Sequence, residues 1–294
     1  MSGLRKFRSA ARLKGFDAPA VFQEFTPLAV AHDAVNLGQG FPDWNTPDFV
    51  KKALCDAVHA NANQYCRSAG DLKLVNTLSK HYSPLVGREI NPTSEITIGV
   101  GATETLFAIM QALLDDGDEV VVLEPAFDIY PAQVQMAGGV CKYVPLELDV
   151  EGRRWVLNME ALESAITPKT KIMLLNTPHN PSGKVLTRDE LLQVSEILKR
   201  HPHVIAVMDE IYEKLIYDGK EHIRLCSLPD MWDRTISVYS FGKTFSGVFL
   251  YHVCVMFVSC WFKFSSIIFF AFSDRLEDWM VLWSFSFDST CNFG

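Results

Sequence analysis

Short apolar strands alternate with amphipathic helices through the middle of this chain, and that alternation restricts the fold more than any other feature. Strand-like runs of β-branched and apolar residues occupy 96–100, 119–123, 140–144, 171–175, 204–208 and 235–239. Helical segments lie between them at 103–114, 130–137, 159–165 and 187–199. The last segment opens with a capping box of Thr187 and Glu190. The pattern predicts an α/β fold with a mainly parallel, mixed sheet and helices on both faces.

Charge and cysteine content exclude several functional classes. The 294 residues include 27 Lys and Arg against 35 Asp and Glu, for a net charge of -8. A nucleic-acid-binding protein normally carries a basic surface, so we expect no nucleic-acid partner. The four cysteines before residue 247 are scattered, with no histidine at the spacing of metal ligands, so no metal site is predicted.

The N-terminal 15 residues contain five basic side chains and no apolar stretch. This excludes a secretory signal and favours a cytoplasmic protein, with mitochondrial import as the open alternative. A helix start is expected at Thr46 and Pro47, as a cap and a first-turn proline, and a second helix is expected over 71–85.

The composition changes abruptly after Ser246. Residues 247–294 hold ten of the 20 Phe and three of the six Trp, but only six charged residues and no Pro. We therefore expect three parts: an N-terminal arm at 1–45, a large domain at 46–246 and an atypical hydrophobic tail at 247–294.

Groups with complementary chemistry follow the predicted strands. Ligands of parallel sheets bind beyond the carboxyl ends of the strands, so these residues would share one rim. They are Gly101, Ala102, Thr103, Phe127, Asn176, Asn180, Asp209, Tyr212, Ser240 and Lys243. A helix N-terminus favours phosphate, a buried acid needs a cation, and a half-buried lysine forms Schiff bases. In isolation, Phe127 is more typical of a core residue and the Asn-Pro pairs are more typical of turns.

Three of these segments carry a family resemblance. Residues 176–183 (NTPHNPSG), 209–212 (DEIY) and 240–246 (SFGKTFS) resemble the motifs of class I/II aminotransferases of fold type I, which use pyridoxal 5′-phosphate. Residues 36–43, 63–65, 124–128 and 227–235 narrow the resemblance to kynurenine–oxoglutarate transaminases, also called glutamine transaminase K or cysteine-S-conjugate β-lyases. The resemblance covers about 11–246. It implies the large domain of that fold, with most of the small domain missing.

The resemblance also implies roles for individual residues. Lys243 would bind the pyridoxal and move the substrate's α-proton, and Asp209 would pair with the ring nitrogen. Tyr212 and Asn180 would bond the phenolic oxygen, and Phe127 would stack on the ring. The other implied residues are Gly101, Ala102, Thr103 and Ser240 for the phosphate, Tyr65 for a second subunit's phosphate in a homodimer, and Gly40, Asn176 and Phe22 for the substrate.

The implied reaction is amino exchange between a kynurenine-like, glutamine, aromatic or sulfur amino acid and a 2-oxo acid. Two alternatives stay open: β-elimination from cysteine S-conjugates, and a catalytically impaired chain. The second arises because the family's basic phosphate ligand and substrate-binding arginine, which follow the lysine motif, have no counterpart here.

The tail has three interpretations. Residues 248–272 are apolar enough for a membrane span, although Lys263 interrupts them and a membrane protein is not expected. The tail is also compatible with an alternative C-terminus that packs against the sheet. The third and preferred interpretation is a retained intron or a gene-model error. If an exon ends with the first base of an alanine codon (G), reading on into the GT of the splice donor encodes glycine, the residue found at position 247.

Overall fold

The structure is a computed structural model that describes residues 9–16, 21–38, 40, 44–62, 64–246 and 253–257. Its strands are β1 Ile96–Val100, β2 Glu119–Glu124, β3 Val140–Leu148, β4 Trp155–Leu157, β5 Thr170–Asn176, β6 Ile205–Asp209, β7 Thr235–Ser240 and β8 Val253–Phe257. Its α-helices are α1 Val21–Ala31, α2 Asp48–His59, α3 Leu72–Val86, α4 Gly101–Leu113, α5 Ile129–Met136, α6 Met159–Ser164, α7 Arg188–Arg200 and α8 Phe241–Thr244.

The strands form one mixed, mostly parallel sheet in the order β1-β8-β7-β6-β5-β2-β3-β4. The neighbouring pairs from β7 through β6, β5 and β2 to β3 are all parallel. β8 is antiparallel to both β1 and β7, so β1 runs in the same direction as β7. The carboxyl ends of β1, β2, β5, β6 and β7 therefore share one edge, which confirms the expected fold class.

Both faces of the sheet are covered by helices. In β2 the odd residues Val121 and Leu123 belong to the core cluster that includes α7, whereas the even residues Val120 and Val122 belong to the cluster that includes α4 and α5. Alternate side chains of a strand point to opposite faces, so a strand buried on both faces must be continuously apolar. This explains the apolar runs that mark the strands in the sequence.

Of the two predicted helix caps, the capping box at α7 is confirmed. The Glu190 N–H donates to Thr187 Oγ1 at 3.2 Å and the Thr187 N–H donates to Glu190 Oε2 at 2.8 Å, which completes the capping box. Asp71 caps α3. The expectation for Thr46 was wrong, because α2 begins one residue later with Pro47 as its N-cap. The Thr46 hydroxyl instead donates to the backbone oxygen of Ser246 at 3.0 Å.

Five residues of the hydrophobic tail belong to the sheet. β8 pairs Val253 with Val100 and Phe257 with Ile96 on one side, and Cys254 with Ser240 on the other. Most of the apolar run to residue 272 lies outside the described residues. Within the described residues, no helix is both long enough and apolar enough to cross a membrane.

Candidate active site

The acid at the carboxyl end of β6, Asp209, is 1% exposed. Its backbone oxygen accepts hydrogen bonds from the Asn176 side chain at 2.8 Å and from the Thr177 N–H at 3.0 Å, which joins β5 to β6 at the rim. Burial raises the pKa of Asp209 to about 6, although the Tyr130 hydrogen bond and the Lys243 charge act in the opposite direction. A desolvated carboxylate of this kind is stabilised by a cationic partner.

Tyr130 is the nearest partner of this acid. Its hydroxyl donates to Asp209 Oδ2 at 2.5 Å, and the side chain is buried. Burial and the charge of Asp209 raise the pKa of Tyr130 well above its usual value, so the phenol stays a proton donor. The sequence placed this residue in a helix without a role.

The asparagines of the rim connect Asp209 to Tyr212. The Asn176 side chain accepts a 2.6 Å hydrogen bond from the Asn180 N–H, while its amide donates to Asp209. Asn180 Nδ2 then donates to the Tyr212 hydroxyl at 3.4 Å. Both polar atoms of Asn176 are thus engaged within the fold, and Asn180 and Tyr212 form a polar pair at the rim.

Lys243 lies in the short helix α8, directly after β7. Ser240 caps this helix, and its hydroxyl accepts the Lys243 N–H at 3.4 Å. The ammonium is 5.6 Å from the centre of the Tyr212 ring. Burial lowers the pKa of Lys243, while the charge of Asp209 raises it. The amine and the acid are therefore close enough to influence each other's ionisation, and both lie at the rim.

The phosphate and ring positions come from α4 and the segment after β2. Gly101 begins α4 with a φ of 82°, a conformation that glycine adopts without strain. The first-turn N–H groups of a helix have no intrahelical acceptors, so Gly101, Ala102 and Thr103 are suited to an anion. Phe127 is half-buried and meets the Tyr130 ring edge-on, with 5.6 Å between centroids and an 86° interplanar angle.

Three predicted residues lie apart from this group. Phe22 is half-buried in α1, a helix with no buried residue, and Gly40 is exposed. The Tyr65 side chain is 91% exposed. Within the described residues, no hydrogen bond or ring contact ties any of the three to the rim.

The rim and sheet order define a transferase domain of fold type I, and solved structures agree. The chain superimposes on N-succinyldiaminopimelate aminotransferase from Mycobacterium tuberculosis with a TM-score of 0.81 and 34% identity, covering 89% of this chain and 66% of that one. The aromatic aminotransferase from Pyrococcus horikoshii gives 0.74 and 32%, covering 84% and 64%.

Residues 32–249 match the aminotransferase class I and II family. The chain is 44% identical over 253 residues to a kynurenine–oxoglutarate transaminase of Dictyostelium discoideum, covering 82% of this chain and 58% of that relative. It is 42% identical over 252 residues to kynurenine–oxoglutarate transaminase 1 of Rattus norvegicus, covering 83% and 59%. The chain therefore spans less than two thirds of these relatives. It belongs to the class I and II aminotransferases, a family that depends on pyridoxal 5′-phosphate, as the resemblance implied.

The chemistry of the rim fits this cofactor. Asp209 accepts one short hydrogen bond, from Tyr130, and a long one of 3.3 Å from the Ile211 N–H. Within the described residues, no cationic side chain forms an ion pair with it. A protonated ring nitrogen is the partner that such an acid lacks.

Proposed function

We propose that this chain is a pyridoxal 5′-phosphate-dependent aminotransferase of the kynurenine–oxoglutarate type, with Lys243 as the attachment site. The observation that carries the proposal is the position of a half-buried amine, Lys243, and a fully buried acid, Asp209, at the same rim of the sheet. The likeness to kynurenine–oxoglutarate transaminases supports an aromatic, glutamine-like or sulfur amino acid as donor and a 2-oxo acid as acceptor.

The residues divide the work according to their surroundings. The lowered pKa of Lys243 raises the share of neutral amine, which would hold the cofactor through its carbonyl carbon with loss of water. Once the substrate's amine has displaced it, the freed Lys243 amine would take the proton from the substrate's α-carbon. When bound, the cofactor supplies a ring that accepts electrons from that carbon. Asp209 would hold negative charge for the ring nitrogen, and the N-terminus of α4 would hold the phosphate.

Tyr212 and Phe127 fix the plane of the ring. The Tyr212 hydroxyl, held by Asn180, is placed to bond the phenolic oxygen. Phe127 forms a T-shaped pair with Tyr130, and we assign it to stacking on the ring. Restricting the ring to one orientation keeps the α-carbon within reach of the Lys243 amine, and such positioning supplies a large part of a catalytic rate.

A second copy of this chain is the proposed partner. The N-terminal arm exposes large apolar side chains, including Val30 at 78%, Val35 at 85% and Leu37 at 91%. Contiguous exposed apolar surface marks association sites. A homodimer would bring Tyr65 to the neighbouring subunit's phosphate.

Cofactor attachment followed by amino exchange tests this function. The protein is incubated with pyridoxal 5′-phosphate, reduced with borohydride and digested, and the modified peptide is identified by mass. We expect an absorbance band above about 400 nm before reduction and modification at Lys243. A modified peptide that lacks Lys243, or no modified peptide, contradicts the proposal.

The loaded protein is then given kynurenine or glutamine with a 2-oxo acid, and the newly formed amino acid is quantified. Pyruvate release from a cysteine S-conjugate is measured in the same preparation. Amino exchange that exceeds pyruvate release supports the transaminase assignment. The reverse result identifies a β-lyase, and attachment without either product identifies an impaired chain.

A further inference from the structure

Helix α5 lies beside the proposed cofactor seat, although none of the residues assigned to the cofactor belongs to it. Two of its side chains, Tyr130 and Gln133, are three positions apart and therefore lie on one face of the helix. Both residues are buried, each with 3% exposure. The Tyr130 hydroxyl donates to Asp209 Oδ2 at 2.5 Å, so this face of α5 contacts the acid assigned to the ring nitrogen.

Gln133 connects the same face of α5 to the first turn of α4. Its side-chain Nε2 donates to the backbone oxygen of Thr103 at 2.7 Å. Thr103 is one of the residues whose N–H groups are proposed for the phosphate. Because the acceptor is a backbone oxygen, the bond fixes the main chain of the turn that carries these donors.

The other hydrogen bonds of this turn are local. The Val100 N–H donates to Glu104 Oε2 at 2.6 Å, and Thr105 Oγ1 donates to the Gly101 oxygen at 3.1 Å. Each of them joins residues four positions apart and shapes the turn itself. The Gln133 bond comes from another helix, 30 positions away in the chain, and it ties the turn to α5.

The burial of Gln133 has a cost that this bond helps to explain. Its side-chain oxygen, Oε1, is buried and has no hydrogen-bond partner within the described residues. A buried oxygen without a partner costs free energy, and an apolar side chain of similar length would avoid that cost. The helix does not need the amide either, because an α-helix already bonds each backbone oxygen to the N–H four residues on. This favours a role for Gln133 in placing the turn.

We propose that Gln133 is a positioning residue for the cofactor's phosphate, and that α5 fixes the two ends of the cofactor seat relative to each other. Gln133 holds the phosphate end through Thr103, and Tyr130 holds the ring-nitrogen end through Asp209. Hydrogen bonds to a phosphate depend on the distance and direction of their donors, so a displaced turn binds it less tightly. The proposal rests on the proposed function, because it concerns the same cofactor.

Two ligands separate the two ends of the seat. Pyridoxamine 5′-phosphate and pyridoxamine share the ring and differ in the phosphate, and neither has an aldehyde that could attach to Lys243. Their dissociation constants are measured by fluorescence at pH 8 for the unsubstituted chain and its variants. The ratio of the two constants reports the contribution of the phosphate, which we expect to be about 100-fold in the unsubstituted chain.

Gln133→Met keeps the length of the side chain but removes the amide. We expect it to weaken binding of pyridoxamine 5′-phosphate about tenfold and to leave binding of pyridoxamine unchanged, so that the ratio falls about tenfold. A residue that only stabilised the fold would affect both ligands equally. Gln133→Asn keeps the amide but is one methylene shorter, so it should show the same loss. It provides the test if Gln133→Met does not fold.

Gln135→Met is the matched control. Gln135 lies on the same helix, but its Nε2 donates to the backbone oxygens of Arg12 and Lys14 in the N-terminal arm, at 2.8 and 2.9 Å. The ratio should therefore stay unchanged. Tyr130→Phe removes the hydrogen bond at the ring-nitrogen end, so it should weaken both ligands by the same factor.

An unchanged ratio in folded Gln133→Met or Gln133→Asn overturns the proposal, and so does an equal fall in Gln135→Met or in Tyr130→Phe. If both Gln133 variants fail to fold while Gln135→Met folds, Gln133 acts in stability and the proposal is also overturned. If the unsubstituted chain binds neither ligand, the proposed function is refuted. If it binds both ligands equally well, the cofactor seat stands, but α4 does not hold the phosphate and the inference alone fails.

Discussion

The rim of the sheet and the N-terminal arm differ in how completely this chain builds them. At the rim, Asp209 is 1% exposed and hydrogen bonds link it to Tyr130 on α5 and to Asn176 on β5. In the arm, α1 has no buried residue and Trp44 is 64% exposed. Tyr65, in the segment that follows α2, is 91% exposed. The roles of the rim residues can therefore be tested in the isolated chain. The proposed roles of the exposed residues can be tested only when a second subunit is bound.

The largest expected effect is at Lys243. Replacing it with Ala removes the amine that bonds the cofactor, so covalent attachment should be lost completely. Borohydride reduction and peptide mass analysis measure this, with Lys243→Arg as a control that keeps the positive charge. A cofactor-modified peptide in Lys243→Ala would show that the rim is not the attachment site.

Asp209→Ala should leave attachment intact but slow removal of the α-proton about 10²- to 10³-fold, equivalent to about 3–4 kcal/mol. The physical reason is that the ring nitrogen loses its buried counter-charge. Single-turnover absorbance changes after addition of an amino acid report this step. Unchanged rates in the folded variant would remove Asp209 from the site.

The same acid should destabilise the cofactor-free protein at neutral pH. Because its pKa is raised from 3.8 to about 6, the folded state binds a proton more tightly than the unfolded state. Stability is then highest below about pH 4 and falls as the pH rises through 6. The Asp209→Asn variant has no acid that ionises at this position, so its stability does not fall in this pH range. Above pH 7 its free energy of unfolding should exceed that of the unsubstituted protein by about 2–3 kcal/mol. Urea denaturation at several pH values measures the difference, and a gap that does not vary with pH contradicts the account.

Tyr130→Phe should have a smaller effect on the same curve. The variant loses a buried hydrogen bond to a charged acceptor, which costs about 1.5–3 kcal/mol of stability. That bond lowers the pKa of Asp209, so the fall in stability should move to higher pH. Urea denaturation of Tyr130→Phe at several pH values measures both the loss of stability and the pH shift. In the Asp209→Asn background the same substitution should cause no pH shift, because the titrating acid is absent.

The smallest effect is expected at Tyr65, in the exposed segment after α2. Tyr65→Phe removes one hydroxyl, so cofactor affinity should fall by about 1 kcal/mol, and only at protein concentrations where a dimer forms. Sedimentation and cofactor titration on the same samples measure both quantities. If Tyr65→Phe also lowered cofactor affinity in the monomer, Tyr65 would act at the cofactor site of its own subunit.

Much of the rim was predictable because its determinants are local. Continuous apolar runs marked β2, β5 and β6, and the polar residues directly after them include Asn176 and Asp209. The capping box of Thr187 marked the start of α7 from residues only three apart. Patterns of this kind operate within one turn or one strand, so a single sequence reveals them.

The features that the sequence analysis did not predict depend on residues that are far apart in the chain. Tyr130 and Asp209 are 79 positions apart, and nothing near either one announces the hydrogen bond. Glu210 and Glu213 read as ordinary charged residues until the fold buries them against His222 and Arg224. β4 has only three residues, too few to show an alternating pattern. β8 was hidden in an apolar tail without turn residues at its ends.

The position of β8 has a consequence for biosynthesis. β1 is translated long before residues 253–257, yet β8 is its pairing neighbour in the sheet, and β7 also pairs with β8. Until that late segment leaves the ribosome, the backbone groups of β1 and one side of β7 have no strand to pair with, and such open edges recruit other nascent chains. Removing everything after Ser246 should therefore yield insoluble material even though every residue proposed for chemistry would still be present.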